Sequence, residues 1–147
     1  MKWAAPAGGG KVLQVVTATT TTSTAISGSS YGDSGLSASI TPSSASSKVM
    51  IVTMQQVYIQ RTNDNRYANF RLVRTSTEIA GTRGGMFGTS GIYYLGPNFV
   101  YLDSPATTSA TTYKTQGRGD GSDATTTFQF DNNSTTMGTI ILLEIGA

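Results

Sequence analysis

Two stretches of this chain are apolar on both sides of a would-be strand, and they limit its folds more than any other feature. Residues 48–61 (KVMIVTMQQVYIQR) alternate so that Val49, Ile51, Val57 and Ile59 share one face, while Met50, Val52, Met54 and Tyr58 share the other. Residues 139–145 (TIILLEI) put Ile141, Leu143 and Ile145 on one face and Ile140 and Leu142 on the other. A strand that is apolar front and back must be covered on both sides. One small sandwich covers one face, so the second cover is another subunit or a loop. Met50, Val52, Met54, Tyr58, Ile140 and Leu142 are therefore the candidate subunit-interface residues, and closure around a three-fold axis would shelter them. Helix is the alternative for both runs. Their β-branched residues and flanking Ser and Gly disfavour it.

The remaining segments read as shorter strands between turns. Residues 11–17, 36–40, 66–74, 77–80, 98–102, 111–116 and 125–130 carry β-branched or alternating apolar residues, bounded by Ser, Gly, Asn, Asp or Pro. Residues 18–35 read as a surface loop or a pair of weak strands. Residues 81–91 form a glycine-studded segment, and residues 117–123 (GRGDGSD) an exposed loop. The total is about nine strands and no convincing helix, in a chain of 147 residues that fits one domain. The expectation is an all-β, single-domain antiparallel β-sandwich of jelly-roll type over residues 11–147, preceded by a short N-terminal attachment tail at residues 1–10. Thr, Ser and Gly number 24, 17 and 17, and that polar, uncharged composition suits half-buried strands and turns.

Several chemistries are excluded by absence. The chain has no Cys and no His, which removes disulfides, thiolate metal sites, thiol nucleophiles and His-based triads. With eight Asp and Glu, little remains for acid–base work. The net charge of +2 arises from scattered Lys and Arg, so no nucleic-acid partner is expected. No apolar run approaches a membrane span or the core of a secretion signal. No cofactor and no metal are expected. Calcium is conceivable only at Asp120-Gly121-Ser122-Asp123, which lacks the full ligand alternation of a calcium loop. The glycine segment at 81–88 lacks the Gly-Lys-Ser/Thr of a phosphate cradle.

The candidate binding residues are aromatic or cationic. Trp3 is the single Trp and precedes a glycine-rich joint, so it either folds back on the domain or docks in a neighbour. Arg66, Arg71 and Tyr67 lie in or beside one hairpin, as an Arg/Tyr patch for partner docking or as a solvated sheet face. Tyr93, Tyr94, Arg118 and Asp120 are candidate receptor contacts, the Tyr rings being able to stack on sugar faces. Arg118 and Asp120 also belong to an Arg-Gly-Asp tripeptide, which reads more simply as a charged turn.

Four segments follow one another in an order that resembles a known family. They are residues 9–16 (GGKVLQVV), 35–49 (GLSASITPSSASSKV), 102–105 (LDSP) with 111–114 (TTYK), and the closing run 140–145 (IILLEI). Together they resemble a widespread domain of tailed-bacteriophage virion proteins, found at the distal end of tail-fibre or appendage proteins. The resemblance implies a β-sandwich or jelly roll on a virion surface, usually trimeric, with no catalytic residues. A fibre has a long shaft where this chain has about ten residues, which favours a small piece such as a capsid decoration protein or an adaptor.

The expected function is thus a non-enzymatic virion structural protein. It would be made in the host cytoplasm, exposed on the particle, and would adhere to copies of itself as a homotrimer and to other virion proteins. The alternative is a receptor-binding module for host surface glycans.

Overall fold

The computed structural model describes the backbone of residues 10–61, 67–85, 91–119, 124–129 and 137–146. The regular structure among them is all β: β1 (Val12–Thr20), β2 (Thr24–Ser27), β3 (Gly32–Ile40), β4 (Lys48–Met54), β5 (Val57–Arg61), β6 (Tyr67–Arg74), β7 (Thr77–Gly85), β8 (Gly91–Leu95), β9 (Val100–Asp103), β10 (Thr111–Gly119), β11 (Ala124–Phe128) and β12 (Gly138–Ile145). There are twelve strands where the sequence suggests nine. Residues 48–61 divide into β4 and β5, and β2 and β8 form within Thr/Ser- and Gly-rich sequence. The expected loop from residue 117 also starts later, because β10 runs on through Gly119.

The strands form three antiparallel sheets, in the orders β1-β12-β4-β9, β3-β10-β6-β7 and β2-β11-β5-β8. The first and third sheets match column by column with strands consecutive in the chain: β1 with β2, β12 with β11, β4 with β5, and β9 with β8. Four long strands therefore turn a corner together. Numbered as eight long strands, the order is 1-8-3-6 in the bent layer and 2-7-4-5 in the facing layer. That is the strand order of a jelly roll built from two Greek keys.

Strand parity explains how the corner is turned without losing the core. Between β4 and β5 the odd-numbered residues stay buried throughout, with Val49, Ile51, Thr53, Gln55, Val57 and Ile59 all inward. Gln55 sits at the bend, where the ladder is interrupted. Its backbone N–H donates to Asn98 Oδ1 at 3.0 Å, and its Oε1 accepts from Thr115 Oγ1 at 3.0 Å. Next to it, Thr53 N donates to Phe99 O and Phe99 N donates to Thr53 Oγ1, both at 2.9 Å. Side-chain amides and hydroxyls thus replace the bonds that the bend removes, as buried polar groups require.

One apolar cluster runs through both layers and includes Leu36, Ile40, Val49, Ile51, Val57, Ile59, Phe70, Leu72, Phe128, Ile140 and Leu142. Phe70 and Phe128 meet edge to face, with centroids 5.8 Å apart. Gly117 makes that contact possible, since a Cβ there would lie 2.7 Å from the Phe128 ring. Its place in the Gly-Arg-Gly-Asp stretch is thereby a packing requirement of β10.

Two polar pins tie the layers and the ends. Asp103 on β9 accepts from Arg74 Nη1 on β6 at 2.9 and 3.0 Å and from the Tyr113 hydroxyl on β10 at 2.7 Å. Burial, and then the Asp103 carboxylate, push the Tyr113 phenol well above its ordinary value. At the other edge, Glu144 on β12 accepts from Ser43 Oγ at 2.6 Å, Ser43 N at 2.7 Å and Gln14 Nε2 at 2.7 Å. Those bonds, Ser43 first, hold its carboxyl down at about 2. Beside this pin, Gly146 N donates to Lys11 O at 2.8 Å, so β1 begins where β12 ends.

Candidate functional site

The outer face of sheet β1-β12-β4-β9 is built from the residues opposite in parity to the core. Register aligns them into rows that cross all four strands. One row is Val15, Leu143, Met50 and Leu102; the next is Thr17, Ile141, Val52 and Val100. Thr19, Thr139 and Met54 form a third row over three strands. Val15, Met54 and Val100 are 56%, 63% and 73% exposed, and Leu13 and Leu102 are also exposed. Met50, Val52, Ile141, Leu143 and Ile145 are half-buried by their neighbours on the same face. Strand spacing and rise make this face about 14 Å by 20 Å. An apolar patch of this extent is on the scale of the largest patch of a typical monomer, the kind of surface that often serves in binding. Thr17, Thr19 and Thr139 give it a partly polar margin, the arrangement seen where interfaces have an apolar centre and polar rim.

Of the six interface candidates, Met50, Val52 and Met54 lie together on this face. Ile140 and Leu142 do not. Both are fully buried in the core of the single protomer, and the outward residues of β12 are Thr139, Ile141, Leu143 and Ile145. The correction follows from parity. The facing layer covers the side carrying Ile140, Leu142 and Glu144, so these two need no second subunit. Tyr58 lies past the corner on β5, paired across strands with Tyr94, and the two rings meet edge to face at 5.5 Å.

The outer face of sheet β3-β10-β6-β7 has the opposite character. Lys114 Nζ lies 2.9 Å from Asp33 Oδ1, and Gln116 Nε2 donates to the same oxygen at 2.6 Å. Burial alone would raise the Asp33 carboxyl, but Lys114 and Gln116 outweigh it and hold the group below its usual value. Arg71 Nε donates to Gln116 Oε1 at 2.7 Å, and its Nη1 reaches Glu78 Oε2 at 3.3 Å. Tyr31 is in the grip of two guanidiniums, with Arg71 3.8 Å and Arg118 4.7 Å from its ring centre. Arg118 Nη1 also donates to Ser29 O at 3.2 Å.

The docking candidates Arg71 and Tyr67 thus share this polar face, with Arg83 lying 4.4 Å over the Tyr67 ring. The receptor candidates are not brought together: Arg118 is on β10, whereas Tyr93 and Tyr94 are on β8 in another sheet. Trp3, Arg66 and Asp120 lie outside the described residues, as does the whole of the conceivable calcium stretch at 120–123. Among the described residues, no group of three or more acidic side chains could hold a metal. The sequence reading missed Tyr31, Leu13, Val15, Val100 and Leu102. The last four carry a signal it could have used, since each is an apolar residue on the outward parity of its strand.

Neither a protein-family model nor a curated protein matches this chain. Among solved structures, two of infectious bursal disease virus are similar to it. The Gt strain structure has 10% identity and a TM-score of 0.43 over 92% of this chain and 39% of its own. The Gx strain structure has 9% identity and a TM-score of 0.42 over 91% and 40%. The chain therefore spans about two-fifths of the length of the structures it matches.

Proposed function

We propose that this chain is a non-enzymatic structural protein of a bacteriophage virion, a capsid decoration or tail-fibre or appendage component. It is made in the host cytoplasm, sits on the particle surface, and works by adhesion to copies of itself and to other virion proteins. The observation that carries this reading is the four-strand apolar outer face of β1-β12-β4-β9. Adhesion is what such a face does: it removes apolar area from water without chemistry. The order of motifs in the sequence and the jelly-roll strand order supply the virion part of the reading, and the homotrimer is the closed assembly that the resemblance implies.

Light scattering at micromolar concentration tests it, with three protomers per particle as the expected mass. Val52→Asp should convert that species to a monomer that still unfolds cooperatively, with a thermal transition that no longer depends on protein concentration, because a charge placed at a dry contact lacks a partner. A monomeric parent protein would remove the reading.

A further inference from the structure

The polar face carries an open cavity of about 520 Å³, lined among others by Tyr31, Asn69, Glu78, Gly81, Thr82 and Arg83. Its shape comes from one missing side chain. Asn69 pairs across strands with Arg83, and Arg71 pairs with Gly81, so the outward column of β7 has a gap beside Arg83. A Cβ at Gly81 would lie 3.0 Å from Glu78 Oε1, which places that carboxylate oxygen over the gap.

The groups around the gap have spare hydrogen-bonding capacity. Arg83 holds its guanidinium carbon 4.4 Å from the Tyr67 ring centre, and its N–H groups make no hydrogen bond or ion pair to a described side chain. The Asn69 amide takes no part in the side-chain bonds of the described residues. Among the described residues, Glu78 uses only Oε2, toward Arg71. The cavity therefore offers an uncommitted cation and a two-way amide on one side and a free carboxylate oxygen on the other. Its aromatic neighbour Tyr31 is already engaged by two guanidiniums, those of Arg71 and Arg118. Arg83 and Glu78 are the charged groups of the lining, and Glu78 is already paired with Arg71, so the charge left over at the site is that of Arg83.

We infer that this cavity binds a carboxylate-bearing saccharide. The ligand's carboxylate pairs with the Arg83 N–H edge, in the forked geometry that guanidinium favours. Its hydroxyls, each both donor and acceptor, bridge the Asn69 amide to Glu78 Oε1. The volume lies within the range of small-ligand sites. The site lies on the sheet opposite the apolar face, so it stands or falls independently of self-association.

Ligand-observed NMR with millimolar trigalacturonate, 3′-sialyllactose and a hyaluronan tetrasaccharide tests this, each beside its carboxyl-reduced counterpart. At least one acidic saccharide should bind, about tenfold or more tighter than its reduced form, the value of one charge-assisted bond. Arg83→Ala should weaken it by a similar factor. Gly81→Val, which fills the gap with a good strand residue, should abolish it while the melting temperature and oligomeric mass stay unchanged. Val52→Asp should leave it intact. No response from any acidic saccharide, equal binding of the reduced forms, or binding that survives both Arg83→Ala and Gly81→Val would overturn the inference. So would an equal response to inorganic phosphate, since that makes the site a bare anion hole.

Discussion

The outer faces of the two layers are built on the same scale from four strands each, and they solve opposite problems. On β3-β10-β6-β7 the outward side chains satisfy one another: Asp33 with Lys114 and Gln116, Gln116 with Arg71, Arg71 with Glu78 and Tyr31. That sheet can face water as it stands, with a cavity left where Gly81 supplies no side chain. On β1-β12-β4-β9 the outward rows run Val15-Leu143-Met50-Leu102 and Thr17-Ile141-Val52-Val100, and apolar side chains dominate them. A charged sheet face is finished within one chain, whereas an apolar one is finished only against another surface. The difference teaches that apolar strands alone do not reveal an interface; what reveals it is apolar residues on the parity that the partner layer does not cover.

The sharpest way to break the comparison uses neighbours on β12. Leu142→Ala should cost about 2–5 kcal/mol of protomer stability, because it opens a hole in a fully enclosed core. Chemical denaturation of the assembly-deficient Val52→Asp background measures this cleanly. Leu143→Asp, one residue on, should instead leave denaturation of the protomer nearly unchanged and dissociate the assembly. Should both act alike, the inside–outside division of β12 is wrong.

Acid comes next. The Glu144 carboxyl is depressed to about 2 in the fold, against a usual value near 4.5. Its stabilisation is therefore complete above about pH 4.5 and is lost as the pH falls toward 2. Because Glu144 fastens β1 and residue 43 to β12, the apolar sheet should loosen at its β1 edge before the charged sheet does. Hydrogen exchange at pH 3 should expose β1 amides first, and Glu144→Gln should erase the pH dependence in that window. Protection that is lost evenly across both layers would contradict this order.

The smallest effect belongs to the charged face. Lys114→Ala removes a partly exposed ion pair with Asp33 and should lower stability by no more than about 1 kcal/mol, with the assembly mass unchanged. A thermal melt with light scattering on the same sample reads both quantities, and dissociation here would mean that assembly uses the polar sheet as well.

The strands themselves were legible because period-two alternation is written locally. Val49, Ile51, Val57 and Ile59 share a face in the sequence and share the core in the fold. The break at Gln55 was not, since it depends on Asn98 and Thr115, which are far away in the chain. The orientation of β12 was illegible for a sharper reason. Both of its faces are apolar, and its one charge, Glu144, lies on the buried side, where Ser43 and Gln14 receive it. The short strands β2 and β8 hide in polar and glycine-rich sequence because their existence rests on pairing with β11 and β5. Tyr31 escaped notice because Arg71 and Arg118 reach it from strands that only the topology brings together.

The bond from Gly146 to Lys11 sets how the protein bears load. The start of β1 and the end of β12 lie side by side on an antiparallel pair. Tension applied across Lys11 and Gly146 would peel that seam open from its tip, breaking one rung after another rather than shearing many together. A sheet wired in this way bears load best when it is braced across its broad flank and not drawn apart at that seam.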